Sequence, residues 1–210
     1  MKKTLILSLL LAIVSIMTTG CSSCQSANTK QETSVTSVNL DAGHVTGTDL
    51  EYMFANYGSD YRWFGQYMLL ENYLDCDCDG TLVSVCNVFQ VVEAADKDYD
   101  TFAVLCSHDT SGESTTDIKH GFRVKAHAMN NDVIAITFDK ALKRVMESNF
   151  KKPHSRQCVL QKQIGPNICN PQYIFGNTKA QLYVDAITGA VSDKNPVFDG
   201  YLTCPLGEWP

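Results

Sequence analysis

Three patterns predict an α+β fold in which a curved antiparallel sheet packs on helices. Leu182, Val184 and Ala186 alternate with Gln181, Tyr183 and Asp185, the period of a strand with one buried face. Between Ile134 and Asn149, Phe138, Ala141, Leu142 and Val145 fall at helical spacing, with Lys140, Lys143, Arg144 and Glu147 on the other face. Leu82 to Val92 and Thr101 to Cys106 are Val- and Phe-rich runs joined by the acidic turn Glu93 to Asp100, which reads as a hairpin. Consecutive strands without an intervening helix favour antiparallel pairing over a parallel sheet.

Taken in order, Asp49 to Leu74 predicts two helical pieces broken at Gly58-Ser59-Asp60. Trp63, Phe64, Tyr67, Met68, Leu70 and Leu74 form a wide apolar stripe for the core. Ser107 to Asp117 is a polar loop, Ile118 to Ala128 a third strand, and Met129 to Asp132 a turn toward Val133 to Ile136. Thr137 is the expected N-cap of the second helix, with Asp139 in its first turn where a carboxylate suits the helix dipole. Asn149 and Lys151-Lys152-Pro153 stop that helix. Cys158 to Ile164 is a further strand, broken by Gly165-Pro166. Asn170 to Val191 reads as two strands and a tight turn. Gly189 supplies a positive φ there, and Asp185 or Thr188 a side-chain bond to the turn backbone.

The N-terminus reads as a targeting segment rather than fold. Lys2 and Lys3 precede an apolar run from Thr4 to Met17 that is short for a membrane span. Thr18-Thr19-Gly20-Cys21 looks like a bacterial lipobox. Residues 1–20 are then the signal peptide and Cys21 the lipidated residue, anchoring the chain in the cell envelope. Ser22 after that cysteine favours the outer membrane. Residues 21–47, rich in Ser, Thr, Gln, Asn and Gly, are the expected flexible tether, leaving 48–210 as the folded domain. Seventeen Lys and Arg stand against 23 Asp and Glu, and loss of Lys2 and Lys3 with the leader takes the formal charge from −6 to −8. Such an acidic chain without a basic cluster argues against nucleic acid as a partner.

The order helix, strand, strand, then Val184-Asp185-Ala186-Ile187-Thr188-Gly189-Ala190-Val191 resembles the PepSY domain, whose closing strand has the form VDA-x-TG-x-V and whose helix carries an acidic residue followed by Ala, here Asp139 and Ala141. The resemblance covers Ile134 to Ser192, with Gly165 to Pro171, including Cys169, as an insertion. It implies a cystatin-like α+β unit that binds or restrains envelope proteins and has no catalytic residues of its own. The chain then divides into halves at 48–130 and 131–210.

Several short motifs carry chemistry. Asp75, Asp77 and Asp79 precede Gly80 as D-x-D-x-D-G, the opening of a calcium loop, but Cys86 stands where the bidentate Glu belongs. In another frame, Asp77-Cys78-Asp79-Gly80-Thr81 is similar to the first motif of haloacid-dehalogenase-type phosphatases. Asp77 is then nucleophile, Asp79 general acid, and Ser107 the later hydroxyl. Cys76-x-Cys78 with His108 or His120 suggests zinc, although the usual C-x-x-C spacing is absent. Cys106 with His108 is a nucleophile and base lacking an orienting third group. His120 and His127 are read on opposite faces of one strand. The nine cysteines are Cys21, Cys24, Cys76, Cys78, Cys86, Cys106, Cys158, Cys169 and Cys204. Eight remain after lipidation, an even number that permits disulfides in an exported chain, while Cys86 and Cys106 lie in apolar strands suited to buried thiols. The expectation is a lipid-anchored, non-catalytic module for a protein, peptide or small ligand, without a cofactor or with calcium. A phosphatase using Asp77 and Asp79 is the alternative.

Overall fold

The computed structural model describes residues 38–93, 100–122 and 124–199. The leader, Cys21, Cys24, most of the tether, Cys204 and Trp209 lie outside them. The elements are α1 (Ala42–Tyr57), β1 (Tyr61–Leu70), β2 (Leu82–Glu93), β3 (Asp100–Asp109), β4 (Ser114–His120), α2 (Phe138–Glu147), β5 (Gln157–Gln161), β6 (Gln172–Asn177), β7 (Ala180–Asp185) and β8 (Val191–Ser192). A turn of 3-10 helix, Asn131–Val133, precedes α2. All eight strands join one sheet in the order β4-β3-β2-β1-β5-β6-β7-β8. Every ladder is antiparallel. Among the described residues the fold is α+β, an antiparallel sheet with two helices.

A helix followed by four antiparallel strands occurs twice along the chain. The two runs meet at the central pair, where Gly65 to Leu69 of β1 face Gln161 to Gln157 of β5. Both helices contribute to one continuous core, Ala42, Val45 and Met53 from α1 and Phe138, Ala141, Leu142 and Val145 from α2. On the sheet it takes in Val85, Phe89, Phe102, Val104, Leu160, Phe175 and Val184, among others.

Helix α2 buries the four residues its periodicity selects. Thr137 occupies the N-cap, but its side chain makes no capping bond. Leu182, Val184 and Ala186 are buried as the alternation requires, and Tyr183 is also buried on the opposite face. The closing turn is built by Asp185. Its Oδ1 accepts from the backbone N–H groups of Ile187 at 2.9 Å and Thr188 at 2.8 Å. Gly189 sits at φ 74°, and a Cβ there would stand 2.5 Å from the Arg144 guanidinium carbon. Arg144 on α2 donates to the Gly189 carbonyl at 3.0 Å, so the helix is tied to the turn by the glycine's lack of a side chain.

Three local readings are corrected. Tyr61–Leu70 is a strand, not a second helical piece. A bulge between Trp63 and Gly65 breaks the alternation, so Trp63 faces the core beside Phe89 and, three residues on, Gln66 faces it beside Asn87. That spacing imitates a helical stripe. The first helix begins at Ala42, inside the expected tether. Asp41 caps it by accepting from the His44 N–H at 2.7 Å. The polar stretch after Cys106 is largely paired: β3 continues to Asp109, and β4 begins at Ser114. The third strand thus ends at His120 instead of Ala128, and His127 instead bridges to Lys162. The turn expected at Met129 to Asp132 is present, as a 3-10 turn over Asn131–Val133.

Candidate functional site

The central ladder also builds a surface site. Beyond the Leu69–Gln157 pair the two strands keep company: the Leu70 N–H donates to the Arg156 carbonyl at 2.8 Å and the Leu74 N–H to the Ser155 carbonyl at 3.0 Å. Leu74, fully buried, pins the loop after β1. This brings Asp75 beside His154, 79 residues later. His154 Nδ1 lies 3.0 and 3.1 Å from the two Asp75 oxygens. Tyr73 stacks on the imidazole with centroids 4.1 Å apart and planes 3° from parallel, which fixes the ring's orientation. Cys76 Sγ lies 3.5 Å from Asp75 Oδ1. Ligand atoms of Asp75, Cys76 and His154 all fall within 4.8 Å of one another, and all three residues are exposed.

The electrostatics follow from the geometry. The hydrogen bond from His154 holds the Asp75 carboxyl below the usual carboxylate range. The same carboxylate, hydrogen-bonded to Cys76, pushes that thiol up. Asp75 and His154 also edge a cleft of about 570 Å³. Its walls are the strap Phe150–His154, which follows α2, and Thr178–Tyr183 at the β6–β7 turn, with Asp193 closing one side. Lys152 is engaged in the strap: its ammonium donates to the Phe150 carbonyl at 2.9 Å and to the Ser148 carbonyl. Lys151 and Lys179 are exposed.

The acidic motif is dispersed. Among the described residues Asp77 and Asp79 do not join Asp75 in any cluster of ligating atoms. Asp79 closes its own turn, accepting from the Thr81 N–H and hydroxyl, both at 3.0 Å. These bonds hold its carboxyl low. Asp77 takes a positive φ of 44°. The phosphatase motif needs a buried strand running directly into its first Asp. Here Asp77 lies in the loop after an antiparallel strand, and Ser107 lies within β3 opposite Cys86. Cys78 is buried while Cys76 is exposed, so the Cys-x-Cys pair is split across the surface. Cys76, Cys78, Cys86, Cys106, Cys158 and Cys169 are all free thiols.

A second constellation lies beneath α1. Asp49, on the helix, places Oδ1 2.8 Å from His108 Nε2 and accepts from Asn87 Nδ2 at 2.8 Å through its other oxygen. Gln66 donates to the Thr46 hydroxyl at 2.7 Å and to the Ala42 carbonyl at 2.8 Å. Asp49 thus orients His108, two positions along β3 from Cys106. Yet burial, with Asp49 and Cys86 nearby, pushes the Cys106 thiol up to about 12, and it hydrogen-bonds Thr116. A protonated, buried thiol is a poor nucleophile. The chemistry this seam performs is adhesion: it docks a helix onto a sheet through satisfied polar groups.

His154 and Tyr73 carry no motif. A histidine after a proline and a tyrosine between an apolar stripe and an acidic loop are ordinary in sequence. Their pairing depends on the β1–β5 register. Asp49 and His108 are likewise joined only by the packing of α1. Compared with known protein families, curated proteins and solved structures, the chain matches none. Among the described residues, no helix is long and apolar enough to cross a membrane.

Proposed function

We propose that this chain is a non-catalytic binding module of the cell envelope, anchored through lipid on Cys21, whose cleft between the strap and the β6–β7 turn receives a peptide segment of an envelope protein. The cleft carries the reading. Lys151, Lys152 and Lys179 line it against Asp75 and Asp193, a local excess of positive charge on a chain whose formal charge is −6, a setting suited to an extended, acidic segment. The finer fold belongs to the same proposal: each run of a helix and four strands is a cystatin-like unit, the second of PepSY type. In its support, the Asp185 turn and the Arg144–Gly189 tie use residues of the VDA-x-TG stretch and the preceding helix. The tether keeps the module within reach of the membrane.

Pull-down with the lipidated chain from envelope extract tests the binding. Capture of a protein partner is expected, with retention reduced roughly tenfold by Lys151→Glu with Lys179→Glu, the loss of about 1.4 kcal/mol. Absence of any partner, together with phosphate-ester hydrolysis abolished by Asp77→Asn, would overturn the reading in favour of the phosphatase. Incorporation of labelled palmitate, lost in Cys21→Ser, tests the anchor separately.

A further inference from the structure

The donor set at the mouth of the cleft has a chemistry beyond peptide binding. Asp75, Cys76 and His154 offer one carboxylate oxygen, one sulfur and one imidazole nitrogen. This is a mixed N, O and S set of the kind that suits a borderline-soft cation and suits calcium or magnesium poorly. Tetrahedral zinc with bonds of about 2.0 Å to N or O and about 2.3 Å to S separates its donors by roughly 3.3–3.6 Å. The Asp75–His154 contact is 3.0 Å and the Asp75–Cys76 contact 3.5 Å. All three donors already stand within 4.8 Å, so small side-chain rotations complete the geometry. The Tyr73 stack holds the imidazole plane, and the backbone bond from the Leu74 N–H to the Ser155 carbonyl, just past the strap, holds the two loops together. That preorganisation lowers the entropic cost of gathering ligands from distant parts of the chain.

We infer that Asp75, Cys76 and His154 form a zinc site at the cleft mouth, with the fourth position open to water or to a donor group of whatever occupies the cleft. The cation sits between Nδ1 and the carboxylate, leaving the neutral imidazole with its proton on Nε2, and takes the Cys76 sulfur as thiolate, releasing that thiol's proton to solvent. Cys78 takes no part, because its side chain is buried. Three protein ligands with one open position mark an exchangeable site rather than a closed structural one.

Titration of the full chain, reduced and in detergent, with zinc alone tests this, since it requires no partner and is independent of the peptide-binding proposal. Saturable uptake of zinc is expected, weakened roughly tenfold or more in Cys76→Ser and in His154→Ala, a scale typical of losing a group that matters to a metal site. Cobalt(II) substitution should produce a sulfur-to-metal charge-transfer band in the near ultraviolet that disappears in Cys76→Ser. Both residues are exposed, so unchanged melting of the two variants serves as the folding control. No saturable zinc uptake would overturn the inference. So would uptake equal in wild type and both variants, or a cobalt spectrum indifferent to Cys76→Ser.

Discussion

Asp185 holds more of the C-terminal turn than its single position suggests. Besides the two backbone amides, its Oδ2 accepts from Asn170 at 3.0 Å. Partial burial pushes the carboxyl up, but the bonds from Thr188, Ile187, Asn170 and Gln172 outweigh it and hold it below its ordinary value. With a depressed pKa in the folded state, its contribution is present above the unfolded value, near pH 3.9, and is lost as pH falls through the folded value. Asp185→Asn should therefore cost stability at neutral pH yet show a shallower decline below about pH 4, checked by melting temperature against pH. Asp49 behaves oppositely. Burial raises its carboxyl, and the bonds from Asn87 and His108 lower it only in part. A raised folded value means its contribution is present at low pH and lost as pH rises through that value. The stability of Asp49→Asn relative to wild type should thus improve as pH rises above the ordinary carboxylate range. Asp49→Ala should lose about 1–3 kcal/mol, because Asn87 and His108 are left without their acceptor. Chemical denaturation of the two variants distinguishes these outcomes.

At the scale of elements, the two helices are made by different physics. Helix α2 carries its reason in its own sequence, since an apolar stripe at helical spacing against a charged face admits little else. Helix α1 contains Gly43, Gly47, Thr46 and Thr48, all poor helix formers. It forms because Asp41 caps it and because Gln66, Asn87 and His108 bind its side chains and the Ala42 carbonyl from the sheet. Those partners lie tens of residues away, so local composition resembles a tether. Strand β1 shows the reverse failure. Its aromatic and aliphatic residues satisfy a helical stripe, and only pairing with β2 and β5 on both sides selects the extended form. Half the site was legible: Asp75 and Cys76 stand in the densest polar cluster. Their partner His154 was not, because nothing near Pro153 announces a contact with the loop after β1.

At the scale of the whole molecule, the β1–β5 pair joins the two runs into one sheet over one core. Separation would expose Met68 and Leu70 beside an unpaired strand edge. Calorimetry should accordingly show a single unfolding transition for residues 38–199. Fragments 38–130 and 131–199 expressed singly should aggregate or remain unfolded, and should recover sheet content on mixing. Two independent transitions, or a soluble folded fragment, would count against the shared core. Among the described residues the outer strands differ: β8 is only two residues long, and β4 is exposed with Asp117 and Lys119 on it. Short and charged edges discourage pairing with other chains.

By itself the sequence determined the class of fold, the second helix with its buried face, the hairpin ahead of it and the Asp185 turn, because each is written in the pattern of one segment or of two neighbouring segments. Which strand lies at the sheet's centre, where the first helix begins, and which histidine meets Asp75 were decided only by tertiary structure. Those features arise from the register of β1 against β5 and from polar bonds across α1. They join residues tens of positions apart, and no local spacing encodes them.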